Sequence, residues 1–408
     1  MSSKSNTFCL APHAAISVQN YGDVCACNMS KSSYHLDNKL YTVDQGSIEL
    51  AWNSPTRHEL IQSLDNGIQH PGCKICWDKE ASGNRSTRMF LNETFGHLTP
   101  LLDQPRVLIV KPGNTCNGAC RICNPATSSS WYQDDYKRQL LKTPTLEFKE
   151  YIKEFETVRN SFHPSNPNFW PSVRKWLPGL DFIDVYGGEP MLIDGLWETL
   201  KYAVETGVSK NVGLQMHTNL STYNPEYLDI LSKFRTVNLA MSIDSCVPEH
   251  FEYMRHKLNY ETCIRNAKKF VGWSKENPNI TTSISCTVSV LNVWDLERIA
   301  KDLHDQFDCV IKIGNFVTMP DQYYDIRHLP MKIKQSLVAK YQGNPRLENV
   351  AKFLQNRIPG CVLHWPKFCM ETEKLDKIRN QDFKTVMPGW YAQLEPYWDY
   401  RKGHPEWF

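Results

Sequence analysis

The chain has no apolar run approaching the roughly 18 residues needed to span a bilayer, so no membrane segment is expected. Its N-terminus, Met-Ser-Ser-Lys-Ser-Asn-Thr-Phe-Cys, lacks the apolar centre of a signal peptide, and a cytoplasmic protein is the expectation. An excess of one charge is also missing: 46 Lys and Arg against 44 Asp and Glu leave +2. Without a strong field, neither nucleic acid nor a membrane surface is expected as a partner. There is no exact internal repeat. What is there is an ordinary globular composition, 41% hydrophobic and 22% charged, over 408 residues. That length predicts one large domain plus a smaller one.

Cysteine is the unevenly placed residue. Eight of the 14 fall within the first 123 residues, in short clusters. In a reducing compartment such clusters read as metal ligands rather than disulfides. The others (Cys246, Cys263, Cys286, Cys309, Cys361, Cys369) are mostly scattered and read as small buried hydrophobes. Cys116, Cys120 and Cys123 form a C-x3-C-x2-C run just after an apolar stretch. Three thiolates are one fewer than a closed metal site needs. On a four-iron cluster they leave one iron open, and an open position on a metal is where chemistry happens. Zinc with a remote fourth ligand is the other reading, although zinc pairs more often space as C-x2-C.

From residue 105 the pattern becomes strand, loop, helix, repeated. Strands are expected at 107–110, 182–186, 212–217, 237–243, 283–290 and 310–316, with helices at 196–205, 225–234, 260–273 and 296–306. Six strands alternating with helices predict an α/β fold with a parallel sheet, as a barrel, partial barrel or open sheet. Before this region, 14–18 reads as a strand, 20–23 as a hairpin turn and 54–64 as a helix with Pro55 in its first turn. Between Cys123 and Phe182 lies an insertion, about 130–178. It holds a charged helix over 146–160 and a Pro/Asn/Trp-rich stretch over 163–178, read as a surface insertion or a lid. The aromatic tail, 387–408, is expected to pack against the body or to dock a peptide.

Ligands of parallel α/β folds bind at the carboxyl ends of strands. Read in order, those ends carry the three-cysteine loop, then Gly187, Gly188, Glu189 and Pro190, then Asn219, then Ser242 and Asp244, then Asn292.

With a C-x3-C-x2-C loop after the first strand and Gly-Gly-Glu-Pro after the second, residues 105–320 resemble the radical S-adenosylmethionine (radical SAM) enzymes. The resemblance implies a partial (βα)6 TIM-type barrel. It implies that Cys116, Cys120 and Cys123 hold a 4Fe-4S cluster whose fourth iron is chelated by S-adenosylmethionine. Reductive cleavage of that cofactor would give a 5′-deoxyadenosyl radical that abstracts a hydrogen atom. Gly187, Gly188, Glu189 and Pro190 would approach the methionyl amino group. Ser242 and Arg255 are candidates for its carboxylate, and Asn219, Asp244 and Asn292 for ribose or the cavity wall.

Cys9, Cys25, Cys27, Cys73 and Cys76 form a second group, for which spacing alone leaves zinc and iron–sulfur open. This segment resembles the auxiliary-cluster modules called SPASM or twitch. Counting from Gly22 and Val24, the resemblance selects Cys27, with Cys25 as alternative, beside Cys9, Cys73 and Cys76 as ligands of one auxiliary 4Fe-4S cluster. The following Glu80–Arg88 stretch is also similar to such modules. The chain departs from them in placing the module before the barrel and in having too few cysteines for two clusters. The expected organisation is an auxiliary module (1–100), the barrel (101–325) and a helical, aromatic-rich C-terminal extension (326–408). A peptide or protein substrate and an electron donor such as ferredoxin or flavodoxin are the implied partners. The alternatives are a radical enzyme for a small molecule or nucleoside, and a non-catalytic, metal-stabilised binding or electron-transfer protein.

Overall fold

In a computed structural model, residues 5–398 are described, apart from 82–84, 102, 319–321, 357 and 359. The glycine and neighbours at 82–84 and the last ten residues of the aromatic tail therefore lie outside the described residues.

Among the described residues ten strands form in chain order: β1 (Ala15–Val18), β2 (Val24–Cys25), β3 (His35–Leu36), β4 (Lys39–Leu40), β5 (Val107–Val110), β6 (Phe182–Val185), β7 (Gly213–Thr218), β8 (Thr236–Ser242), β9 (Ile280–Val288) and β10 (Val310–Phe316). Eight of them make one sheet in the order β10-β9-β8-β7-β6-β5-β1-β2, while β3 and β4 pair separately. From β5 to β10 neighbours in sequence are neighbours in the sheet, and every pairing is parallel. Each connection carries at least one helix, among them Asp194–Glu205, Pro225–Ser232, Tyr260–Glu276 and Leu296–Gln306. This is the strand order of a partial (βα)6 barrel.

The strands are short because their apolar runs are short. Val107, Leu108, Ile109 and Val110 are all buried, as a parallel strand covered on both faces requires. β1 lies parallel to β5 with Ile16 opposite Leu108 and Val18 opposite Val110. The turn after it brings β2 back antiparallel. The N-terminal segment thus extends the barrel sheet by two strands, a long-range pairing that local sequence pattern does not carry. The helix Pro55–Asp65 starts where expected, its N-cap Ser54 accepting from the Arg57 amide.

Two elements of the insertion differ from expectation. The charged segment is two short helices, Phe148–Lys153 and Glu156–Ser161, broken at residues 154–155. The Pro/Asn/Trp-rich stretch holds a helix, Phe169–Trp176, with Phe169, Trp170, Val173 and Trp176 buried. It belongs to the main core, because its apolar residues recur at i, i+4 and i+7 and Pro171 sits in the first turn, where its missing N–H costs nothing. In the tail, Trp390 and Trp398 are buried against the body. Among the described residues no helix is long and apolar enough to cross a membrane.

Candidate active site and cysteine sites

The loop after β5 is held by its neighbours' backbone. Arg121 N donates to Met254 O (2.7 Å) and Ala119 N donates to His256 O (2.8 Å), which sets Cys120 opposite Arg255. The indole of Trp131 donates to Cys120 O (2.8 Å), and Ser130 Oγ to Cys116 O (2.8 Å). Cys120 and Cys123 share a hydrogen bond that raises the first thiol's pKa and lowers the second's. Burial, then Cys120, pushes the Cys116 thiol up to about 12.

The loop after β6 docks on this one. Gly188 has a left-handed backbone (φ +62°), and a Cβ there would lie 2.6 Å from Thr115 O, one residue before Cys116. Only glycine allows that approach. The Glu189 amide then donates to the same carbonyl (2.8 Å). The fully buried Glu189 carboxylate accepts from the Asn219 amide (2.6 Å), Thr218 Oγ1 (2.8 Å) and the Met191 amide (3.2 Å). Burial lifts its pKa to about 7 against those donors. Asn219 Nδ2 in turn donates to Asn117 Oδ1 (2.9 Å) and lies 3.7 Å from Cys116 Sγ. The ends of β5, β6 and β7 therefore form one hydrogen-bonded unit. Pro190 opens a buried helical turn behind it.

The remaining expected residues fall farther round. Asp244 and Arg255 make a buried ion pair at 2.8 Å, and the guanidinium lies close enough to the loop to favour the thiolate forms of Cys120 and Cys123. Asp244 also accepts from the Thr287 amide (2.8 Å). Asn292 uses its amide group on Asp244 O (3.1 Å) and Thr287 O (3.0 Å) and accepts from Ser289 N (2.9 Å), so it ties strand ends together. Ser242, at the end of β8, is half-buried.

The N-terminal cysteines also converge. Cys9, Cys27, Cys73 and Cys76 line one small, mainly apolar cavity with Leu60 and Trp77. Burial, then each other's charge, raises the Cys9 thiol, and likewise Cys73 to about 12. Backbone N–H groups of Met29 and Ser30 point at Cys27, whose burial raises it to about 11. Cys25 is not on this cavity; its thiol donates to Cys27 O (3.1 Å) and accepts from Gln19 Nε2 (3.6 Å). Arg88, paired with Glu80, supplies a cation at the rim. Among the described residues no three His, Cys, Asp or Glu side chains converge on a single-ion site. Four ligands on one zinc would crowd about a single point at ~2.0–2.3 Å. A cubane, whose four irons occupy alternate corners with sulfides between them, spaces its thiolates farther apart. Both donor sets are thiol-only, as such clusters take; the N-terminal site adds apolar walls and N–H groups aimed at Cys27, and the loop after β5 has the Gly118 amide (3.4 Å) aimed at Cys116 Sγ.

A polar row went unread in the sequence. Strand alternation puts Ile183, Val185, Leu214 and Met216 on the fully buried face and leaves Asp184, Gln215 and Asn238 half-buried on the other. They are in register across β6, β7 and β8. Gln215 Nε2 donates to Asp184 Oδ1 (3.3 Å), and Asn238 Nδ2 donates to Gln215 Oε1 (3.3 Å). The Tyr186 and His217 rings lie 6.1 Å apart just beyond. The signal was an acid inside an apolar strand, Phe182-Ile-Asp-Val. Burial raises Asp184 from 3.8 to about 7 and lowers His217 to about 4. Folded Asp184 thus keeps a proton that the unfolded chain releases. Its stabilising contribution is full below about pH 4 and is lost as pH rises through about 7. The melting temperature of Asp184→Asn is expected to lack this decline, so the two thermal-unfolding curves diverge across that window. Parallel curves would contradict it.

No protein-family model and no curated protein matches the chain. Solved structures similar to it include SuiB of Streptococcus suis bound to S-adenosylmethionine, 12% identical with a TM-score of 0.32, covering 80% of this chain and 66% of that one. Another is anSMEcpe with bound AdoMet, 16% identical, TM-score 0.35, covering 66% of each chain. A third is TsrM from Kitasatospora setae, a radical S-adenosylmethionine methyltransferase with cobalamin and a [4Fe-4S] cluster, 13% identical, TM-score 0.28, covering 36% and 27%. The chain thus spans about two thirds or less of their lengths. Likeness this low carries no argument about chemistry, which rests on the residues described above.

Proposed function

We propose that this chain is a radical SAM enzyme acting on a peptide or protein. The observation that carries the reading is the contact of Gly188 with Thr115, which joins the Gly-Gly-Glu-Pro loop to the three-cysteine loop. Cys116, Cys120 and Cys123 would hold a cluster that, reduced and bound to S-adenosylmethionine, would supply a 5′-deoxyadenosyl radical. The chain's own residues do the rest. Gly187 and Gly188 let backbone approach the methionyl amino group, and Glu189 gives that end a carboxylate held by three donors. Arg255 and Ser242 would be the residues to meet the methionyl carboxylate. Asp184, Gln215 and Asn238 offer hydrogen bonds to a substrate on their half-buried sheet face, and Asp184 can take up a proton there.

The second cysteine site supports an auxiliary 4Fe-4S cluster on Cys9, Cys27, Cys73 and Cys76, and with it a peptide substrate and a donor of the ferredoxin or flavodoxin kind. Residues 1–100, 101–325 and 326–408 are proposed as auxiliary module, barrel and extension. A second reading, a small hydrophilic molecule or nucleoside as substrate, is favoured by the polar row. The test is anaerobic reconstitution with iron and sulfide, then dithionite and S-adenosylmethionine. Methionine and 5′-deoxyadenosine are expected, with two clusters' worth of iron. Iron uptake without cofactor cleavage would leave only an electron-transfer or binding protein.

A further inference from the structure

The cysteine loop is gripped from behind by a segment outside the 105–320 resemblance. Arg121, between Cys120 and Cys123, has a side chain with 0% exposure. It points away from the thiols into a socket, where Nε donates to Tyr253 O (3.0 Å) and the guanidinium lies 3.5 Å over the Tyr253 ring. Its charge is met by Asp376, and Gln381 Oε1 accepts from it at 2.9 Å. Asp376 is fixed in turn by Tyr253 OH (2.9 Å) and the Phe383 amide (2.8 Å). It stands in the last turn of the long helix Cys361–Arg379, whose carbonyl end also favours a cation. The same helix sends Leu375 beneath the loop, where it packs with Ala119 and Trp131, and Cys123 rests on that cluster. Two further ion pairs, Arg138 with Glu371 and Arg379 with Asp134, tie the helix Tyr132–Leu140 to it.

We propose that the helix Cys361–Arg379 is a clamp on the cluster loop, with Asp376 acting through Arg121 as the positioning residue for Cys120 and Cys123. The consequence for the cluster rests on the reading above; the grip on the loop does not. The surroundings argue for position rather than mere cohesion. A surface pair would stabilise any segment equally. This pair instead joins the residue between two thiols to a carboxylate whose other contacts are all made.

The test uses the full chain with Asp376→Asn, which keeps the shape and removes the charge, beside Arg138→Gln, which breaks the neighbouring pair at a residue with no hydrogen bond to the loop. Hydrogen exchange on the metal-free proteins is expected to show the Ala119 and Arg121 amides exchanging at least about tenfold faster in Asp376→Asn. Amides of the N-terminal cysteine site should be unchanged, and Arg138→Gln should match the parent at 116–123. On the reconstituted proteins, the electron paramagnetic resonance change caused by S-adenosylmethionine should be lost or weakened in Asp376→Asn and regained in Asp376→Glu. Unchanged exchange at 119 and 121 overturns the clamp. Faster exchange in Asp376→Asn together with a parent chain that binds no cluster keeps the clamp and sinks the cluster reading instead.

Discussion

Replacing Cys120 by alanine is expected to bring formation of 5′-deoxyadenosine to background. The carbonyls of Cys120, Gly118 and Cys116 are already engaged, so the backbone of the loop should survive the change. What goes is one of three thiolates, and with two the cluster has no stable seat. Iron content should fall by one cluster while the signal from the N-terminal site persists. Cys76→Ala should give the mirror result: loss of the second cluster, with cofactor cleavage retained. Liquid chromatography of the nucleoside and resonance spectra of the two variants check this together. If Cys120→Ala still cleaves the cofactor, the loop is not the cofactor site. If Cys76→Ala keeps both clusters, the cavity at Cys9 and Cys27 is only a set of buried thiols.

Asp244→Ala should be among the most destabilising single changes in the barrel. It leaves the Arg255 guanidinium buried without its partner. Stranding a buried charge costs about 3–5 kcal/mol. At about 2.1 cal/mol/K per residue, a chain of 408 residues then loses roughly 4–6 °C in melting temperature. Removing the exposed Lys275–Asp308 pair, with side chains 57% and 88% exposed, should barely move it. The double change Asp244→Leu with Arg255→Met should regain most of the stability, since apolar side chains can replace a buried pair. It should not regain cofactor cleavage, because the cation opposite Cys120 is gone. Calorimetry separates the two outcomes.

The elements that sequence revealed were those whose signal is local. Val107–Val110 and Val310–Phe316 stand at the expected bounds because each is a compact β-rich run between breakers. The two sequence motifs pointed at the same end of the sheet because strand ends in parallel folds all open one way. What stayed hidden depends on partners far along the chain. Nothing in 14–18 announces a parallel partner at 107–110. Nothing near Asp376 says that it answers Arg121, 255 residues away. The Trp-rich stretch was misread for a different reason: its polar composition masked an apolar stripe at Phe169, Val173 and Trp176. Asp184 was missed because a lone acid among strand residues looks like an edge position until register shows Gln215 and Asn238 beside it.

The reach of the Arg121–Asp376 contact bears on how the protein is made. A ribosome adding about 5–20 residues per second exposes the three thiols roughly 13–50 s before the residue that steadies them. During that interval the nascent chain carries reactive sulfurs in an unbraced loop. On the clamp proposed above, iron and sulfide delivered once the helix Cys361–Arg379 has docked would meet a loop already braced.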